Sequence, residues 1–261
     1  MKNIFISITI IAVSLATMVS CSIYEELHFL ENGHVKYRLT FDGKKLMEAM
    51  PNESSTDTTV KDSIISIADI IYANKDIKKT LYPQEKEDLA NISAFVIKKH
   101  EDPAKKEYTF SITGEFTDTE ALNKALYSLN RLVGWTQSDA EISESIGEKK
   151  LMDQLSRVPQ YKWDSVTMKR YTVESEKLPD GKKESSEEDK ISKAMGITNP
   201  FTSFLMGGKM TVKYHFPSKV ERTDNTEAML SLDGKTVILN YDATIFSESP
   251  EDANINIIIK K

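Results

Sequence analysis

Cysteine occurs once in the 261 residues, at Cys21, so no disulfide can form within the chain. Histidine is nearly as scarce. His28, His34, His100 and His215 lie far apart, none at the spacing by which zinc ligands recur, so no metal is expected. Glycine numbers only ten, and the pair Gly207-Gly208 runs into a strand-like stretch rather than a helix, which excludes a phosphate-cradling loop; no cofactor is expected. No G-x-S-x-G elbow occurs, so no serine nucleophile is presented on a strained turn. The acidic run Glu187-Glu188-Asp189 lacks the alternating ligands of a calcium loop and reads as solvated charge. Basic residues are outnumbered, 34 against 40 acidic, and the two kinds are interspersed, as in Lys98-Lys99-His100-Glu101-Asp102. A nucleic-acid partner needs a clustered basic face that releases phosphate counterions, and that class is excluded.

What is present begins with the first twenty residues. Lys2 gives a short positive start, an apolar run extends from Ile4 to Val19, and the small Ser20 follows, the three parts of a secretory signal. The run of 16 residues includes Ser7, Thr9, Ser14 and Thr17 and falls short of the roughly 20 apolar residues of a membrane span, although an uncleaved helix is the alternative. Removing residues 1–20 takes away one lysine and no acid, leaving 33 basic and 40 acidic residues and a net charge of −7.

Met18-Val19-Ser20-Cys21 resembles the lipobox of bacterial lipoproteins, with Met18 where leucine is usual. The resemblance implies cleavage before Cys21 and attachment of a diacylglycerol to its thiol; the alternative is an ordinary thiol beside a simple cleavage site. Acyl chains contribute about 0.8 kcal/mol per buried methylene, enough for firm anchoring without a second membrane segment. By likeness to lipoprotein sorting patterns, Ser22 after the cysteine, rather than Asp, implies the outer membrane.

The mature chain, 21–261, reads as a single α+β domain: a mainly antiparallel sheet built from hairpins, with a few helices packed on one face. Alternating apolar residues flank Glu31-Asn32-Gly33. A three-residue loop with Gly33 left-handed lines up Phe29 with Val35, Leu27 with Tyr37 and Ile23 with Phe41, and pairs Glu26 with Arg38 outside. Residues 43–50 predict a short helix stopped by Pro51, and 62–71 a short strand followed by a helix. Strands over Ile92 to His100 and Glu107 to Phe116 form a second hairpin, with Tyr108, Phe110, Ile112 and Phe116 on its dry face. A capping box, Thr117 to Glu120, opens a helix whose Leu122, Leu126, Leu129 and Val133 cover that face. Tyr161 to Val173 reads as one strand, and Glu174 to Lys190 as an exposed charged loop. Lys209 to Phe216, Ala228 to Leu232, Lys235 to Tyr241 and Ile255 to Ile259 complete the strands, with Asp233-Gly234 as a turn.

One segment has functional character. Asn199-Pro200 opens a short helix whose Phe201, Phe204 and Leu205 form an apolar face suited to a hydrophobic ligand or to lipid; packing on the sheet is the structural alternative. Trp135 and Trp163 are expected in the core. His28, outward in the register above, is expected to be a surface histidine.

Residues 210–239 carry an apolar strand, then Phe216-Pro217-Ser218-Lys219-Val220, Asn225 and Asp233-Gly234-Lys235-Thr236-Val237. This pattern is similar to the C-terminal part of the LppM family of envelope lipoproteins. The resemblance implies a membrane-tethered α+β module binding lipid or another apolar ligand, and it transfers no catalytic residues. The expectation is thus a non-enzymatic binding or interaction module tethered to the envelope through Cys21. The rivals are a structural partner in an envelope protein complex and, behind it, a hydrolase.

Overall fold

A computed structural model describes residues 22–44, 47, 59–69, 83–136, 157–174, 208–242 and 244–260. The elements are β1 (Ser22–Phe29), β2 (Val35–Asp42), β3 (Lys61–Ser66), α1 (Pro83–Ile92), β4 (Val96–Asp102), β5 (Glu107–Phe116), α2 (Thr119–Thr136), β6 (Arg157–Trp163) and β7 (Thr167–Glu174). After them come β8 (Lys209–His215), β9 (Val220–Thr223), β10 (Met229–Leu230), β11 (Thr236–Asp242), α3 (Ile245–Glu248), a 3₁₀ turn (Pro250–Ala253) and β12 (Ile255–Ile259). The architecture is α+β and mainly antiparallel. One sheet of eight strands runs in the order β10-β11-β8-β1-β2-β5-β4-β3, and a second of four in the order β6-β7-β12-β9.

The first hairpin has the register that alternation predicts: Phe29 pairs with Val35, Leu27 with Tyr37, Glu26 with Arg38 and Ile23 with Phe41, and Gly33 has φ +83°. The loop closes by Leu30 N–H donating to His34 O and Gly33 N–H to Leu30 O. On its far side β1 pairs with β8 in parallel, Ser22 beside Lys209 and His28 beside His215. β1 is therefore central, and its inner face carries Ile23, Leu27 and Phe29, all buried.

Two layers cover that inner face. The four-stranded sheet contributes Val158, Tyr161, Met168, Ile255, Ile257 and Ile259 to the common core. Beside it lies α2, whose Leu122, Ala125, Leu126 and Leu129 are buried. The Asn123 side chain joins the two: its Nδ2 donates to Tyr161 O and its Oδ1 accepts from Tyr161 N–H, both at 2.8 Å, so it satisfies backbone groups of the edge strand β6. Asp88, 1% exposed, fixes α1 on α2 by accepting from Ser128 Oγ at 2.8 Å and pairing with Arg131 Nε at 3.2 Å.

Four expectations are corrected. Ile92 ends a helix, and the strand expected from there begins at Val96; the missed helix α1 has a weak apolar stripe, with only Leu89 and Ile92 buried. The capping box is displaced: α2 starts at Thr119, because the Asp118 carboxylate accepts from Ala121 N–H at 2.8 Å and thereby supplies the cap. The single strand expected over 161–173 is two, since the Asp164 carboxylate accepts from Val166 and Thr167 N–H and folds a turn with Ser165 at φ +73°. Val220–Thr223 is an additional strand, paired with β12. As expected, β3 is followed by helical Ile67 to Asp69. Of the helix expected over 43–50, Lys44 and Met47 are described, with Met47 N–H donating to Gly43 O; the remainder lies outside the described residues, as do the charged loop beyond 174 and Trp135's side chain.

Gly114 faces an aromatic cluster of Phe95 and Phe116, and a Cβ there would lie 2.8 Å from Phe116 Cε2 and 3.0 Å from Phe95 Cδ1. Gly114→Ala is expected to destabilise the fold by about 1–3 kcal/mol through overpacking. Equilibrium urea unfolding measures this, and an unchanged midpoint would mean that the cluster yields freely.

Candidate functional site

Cys21 and the apolar residues Phe201, Phe204 and Leu205 lie outside the described residues. The structure does place their neighbours. Ser22, the residue after Cys21, stands beside Lys209 on the adjacent parallel strand. The chain thus enters β1 after Cys21 and enters β8 after Gly208 at one end of the large sheet.

The chemistry that the fold brings together lies elsewhere. Alternation along β1 puts Glu25 on the inner face, between the sheets, where it is 3% exposed. Its Oε1 accepts from the Tyr161 hydroxyl at 3.0 Å, and the Tyr37 hydroxyl is also within hydrogen-bonding reach. Arg170 of β7, 4% exposed, is its buried counter-charge. The guanidinium donates from Nη1 to Ala253 O at 2.9 Å and lies 5.3 Å over the Phe246 ring. Burial pushes the Glu25 carboxyl above its ordinary pKa, against the pull of Arg170 and of the two hydroxyls. Burial also opposes the charge on Arg170, yet the surrounding tyrosines and Glu25 outweigh it and hold the guanidinium above its ordinary value. Tyr37, Tyr161 and Tyr214 are pushed well up, by burial first and by Glu25 as well, so all three keep their protons.

The outer face of the same sheet is arranged in transverse rows. One row carries Thr236, His215, His28, Lys36 and Glu115 on five adjacent strands. His215 Nδ1 meets Thr236 Oγ1 at 3.0 Å, His28 and His215 stack with centroids 4.0 Å apart and planes 6° from parallel, and Lys36 pairs with Glu115 at 3.4 Å. The next row sets Glu26 between Lys213 and Arg38, at 3.2 and 3.7 Å. Burial lowers the pKa of both imidazoles, and each is further lowered by nearby cations, Arg38 and Lys36 around His28 and Lys213 beside His215. Lone pairs of parallel rings lie in parallel planes, so these two histidines cannot point at one ion. Among the described residues no set of three His, Cys, Asp or Glu side chains is placed to hold a metal.

Two open depressions of about 430 and 480 Å³ adjoin this row and share Ala94 and Glu115. One is bordered by His28, Lys36, Arg38 and Thr113, the other by Thr117, Asp118, Glu120 and Lys124 at the start of α2. Their linings suit polar contacts rather than an acyl chain.

His28 is outward, as expected, and the stack with His215 makes it more than a solvated side chain. The other histidines are paired singly, His100 with Asp62 at 2.7 Å and His34 with Glu115 at 3.6 Å. Trp163 packs against Phe29 and Phe216 in the core. Sequence reasoning missed the Glu25 cluster, although its signal was present: the register that aligns Ile23 and Leu27 inward carries Glu25 in with them. No family model matches the chain, and no curated protein is significantly similar to it in sequence. Among the described residues no helix is long and apolar enough to cross a membrane.

Two outcomes are expected. Arg170→Met leaves Glu25 buried without its counter-charge and destabilises the protein by about 3–5 kcal/mol at pH 7. Because the folded pKa of Glu25 is raised, its contribution is fully present below the unfolded value near 4.5 and lost as pH rises, so the Arg170→Met penalty should shrink when unfolding is measured at pH 4. The histidine pair has the opposite sign. Its folded pKa values are depressed from 6.5, so stability is complete above that pH and falls as acid protonates the unfolded chain first. Urea unfolding at pH 7 and 5.5 should show this loss, and a His28→Gln, His215→Gln double variant should flatten it; equal slopes would remove the pair from the acid response.

Proposed function

We propose that this chain is made as the precursor of a bacterial envelope lipoprotein and acts, after loss of residues 1–20 and lipidation of Cys21, as a non-enzymatic binding or interaction module. The observation that carries the reading is where the fold begins. Ser22 is already paired on both sides, with Asp42 of β2 and Lys209 of β8, so a central strand starts one residue after the lipidation site. A thiol modified there leaves no linker between acyl chains and domain.

The entry of β8 at the same end supports the second part of the proposal. The apolar segment holding Phe201, Phe204 and Leu205 rejoins the sheet beside Ser22, so a lipid or other apolar ligand held by it is a ligand taken at the bilayer surface. The non-enzymatic reading leans on how the described titratable groups are used. Glu25 is sealed between layers, and His28 and His215 face each other rather than a nucleophile. The likeness of 210–239 to LppM proteins points to the same kind of module, and outer-membrane location rests on Ser22 following the cysteine.

The test is expression of the full chain in a bacterium. The mature protein is expected to begin at Cys21, to carry the mass of a diacylglycerol adduct and to enter the detergent phase on partition, while Cys21→Ser enters the aqueous phase. A wild-type chain in the aqueous phase with a free thiol would falsify the anchored reading. Native mass spectrometry of the extracted protein then shows whether a lipid stays bound beyond the covalent one, and its loss in Phe201→Ser, Phe204→Ser would assign that ligand to the apolar segment.

A further inference from the structure

The largest exposed apolar group among the described residues is at the free edge of the eight-stranded sheet. Leu232 is fully exposed, and Met229 and Leu230 beside it are 49% and 51% exposed. Three large apolar side chains in four positions, open to water, carry no benefit for the fold.

They are nonetheless held rigidly. Met229 and Leu230 pair with Ile238 and Val237. Beyond them Ser231 N–H donates to Thr236 O, Thr236 N–H to Ser231 Oγ, and Gly234 N–H to Ser231 O, at 3.0, 2.9 and 2.9 Å. Asp233 Oδ1 accepts from Ser231 Oγ and from Lys235 N–H, and Gly234 takes φ +71°, a backbone that favours glycine. The turn is also braced from behind, where Val220 N–H donates to Gly234 O at 2.8 Å. Ordering is therefore complete before any contact is made, which is the condition under which a few apolar side chains bind well.

The surroundings are basic. Lys219 packs over Gly234, Lys235 reaches Pro217 O at 2.7 Å, and Lys260 is joined through its backbone to Lys219 O. The one acid on the turn, Asp233, is directed into the turn's own donors.

Position decides between occupants. Along β11 the chain runs from Thr236 at the turn to Asp242, which pairs with Lys209 beside Ser22. Six residue steps of about 3.4 Å place the apolar turn roughly 20 Å along the strands from the anchor end, away from the bilayer that holds Cys21. A stable self-association needs on the order of 1,000 Å² of complementary surface, far more than a four-residue tip presents to its own copy. We propose that Met229, Leu230 and Leu232 insert into an apolar pocket of another envelope protein, a pocket with an acidic rim facing Lys219, Lys235 and Lys260. The choice of a protein over a lipid surface rests on the anchored reading above.

The experiment uses the full chain in its producing bacterium, with a benzophenone amino acid at position 232 and, as a control, at Glu31 in the exposed turn between β1 and β2. A discrete protein adduct from position 232 and none from position 31 is expected. That protein, purified, should bind the Cys21→Ser chain, with affinity falling roughly tenfold to hundredfold in Leu230→Ser, Leu232→Ser and falling again at high salt. The unfolding midpoint of the variant should stay at the wild-type value, which separates lost contact from lost fold. Adducts only to lipid, only to a second copy, or none, overturn the proposal, as does an affinity indifferent to the two leucines. Intact mass at Cys21, measured on the same sample, reports separately on the anchor.

Discussion

Two layers of sheet meet around one carboxylate. Glu25 projects from the central strand of the large sheet, and the small sheet is assembled so that a tyrosyl hydroxyl from β6 and a guanidinium from β7 arrive at that point. The 3₁₀ turn contributes the Ala253 carbonyl to the same guanidinium, and α3 lays the Phe246 ring over it. Apolar residues alone would let the two sheets slide over each other at small cost. A buried charge with its partners permits one alignment, because any other leaves Glu25 or Arg170 desolvated and unpaired.

The opposite face of the large sheet obeys a different rule. Its side chains satisfy one another in rows, Lys213 with Glu26 and Arg38, Lys36 with Glu115, His28 on His215. Exposed pairs of this kind contribute little to stability, about 0–1 kcal/mol each, but they leave few free charges on the face to draw a ligand. Unsatisfied character is concentrated at the ends of the strands instead: the rigid apolar turn near Leu232 at one end, and at the other the point where Ser22 and Lys209 enter side by side.

How far the fold was legible in the sequence depended on whether the deciding interactions were local. Alternation and Gly33 specified the first hairpin, including its register, because both strands and their turn lie within 20 residues and a slip of one residue would turn Leu27 and Tyr37 outward. The strand assigned over 161–173 failed for a local reason as well: the Asx turn at Asp164 was read through as continuous β pattern. The cap of α2 was misplaced by one residue because Thr117 and Asp118 are both competent and only packing decides. The layering of a second sheet, the parallel union of β1 with β8, and the gathering of Glu25 with Arg170 involve partners 145 or more positions apart, beyond any periodicity. Even so, a glutamate at an inward position of an apolar strand is itself a signal that a counter-charge must exist somewhere in the chain.

The parallel seam between β1 and β8 also sets an order of events. A strand at the centre of a sheet needs both neighbours, and for β1 one neighbour, β2, follows within six residues, while the other is made near the end of the chain. During synthesis and export the first hairpin can close at once, but its other edge stays open until β8 arrives, with all the intervening chain to be accommodated first. An unpaired edge bearing Ile23, Leu27 and Phe29 is a template for wrong partners during that interval. Maturation at Cys21 falls naturally in the same interval, before Ser22 is clamped between two strands and the adjoining thiol is crowded by the finished sheet.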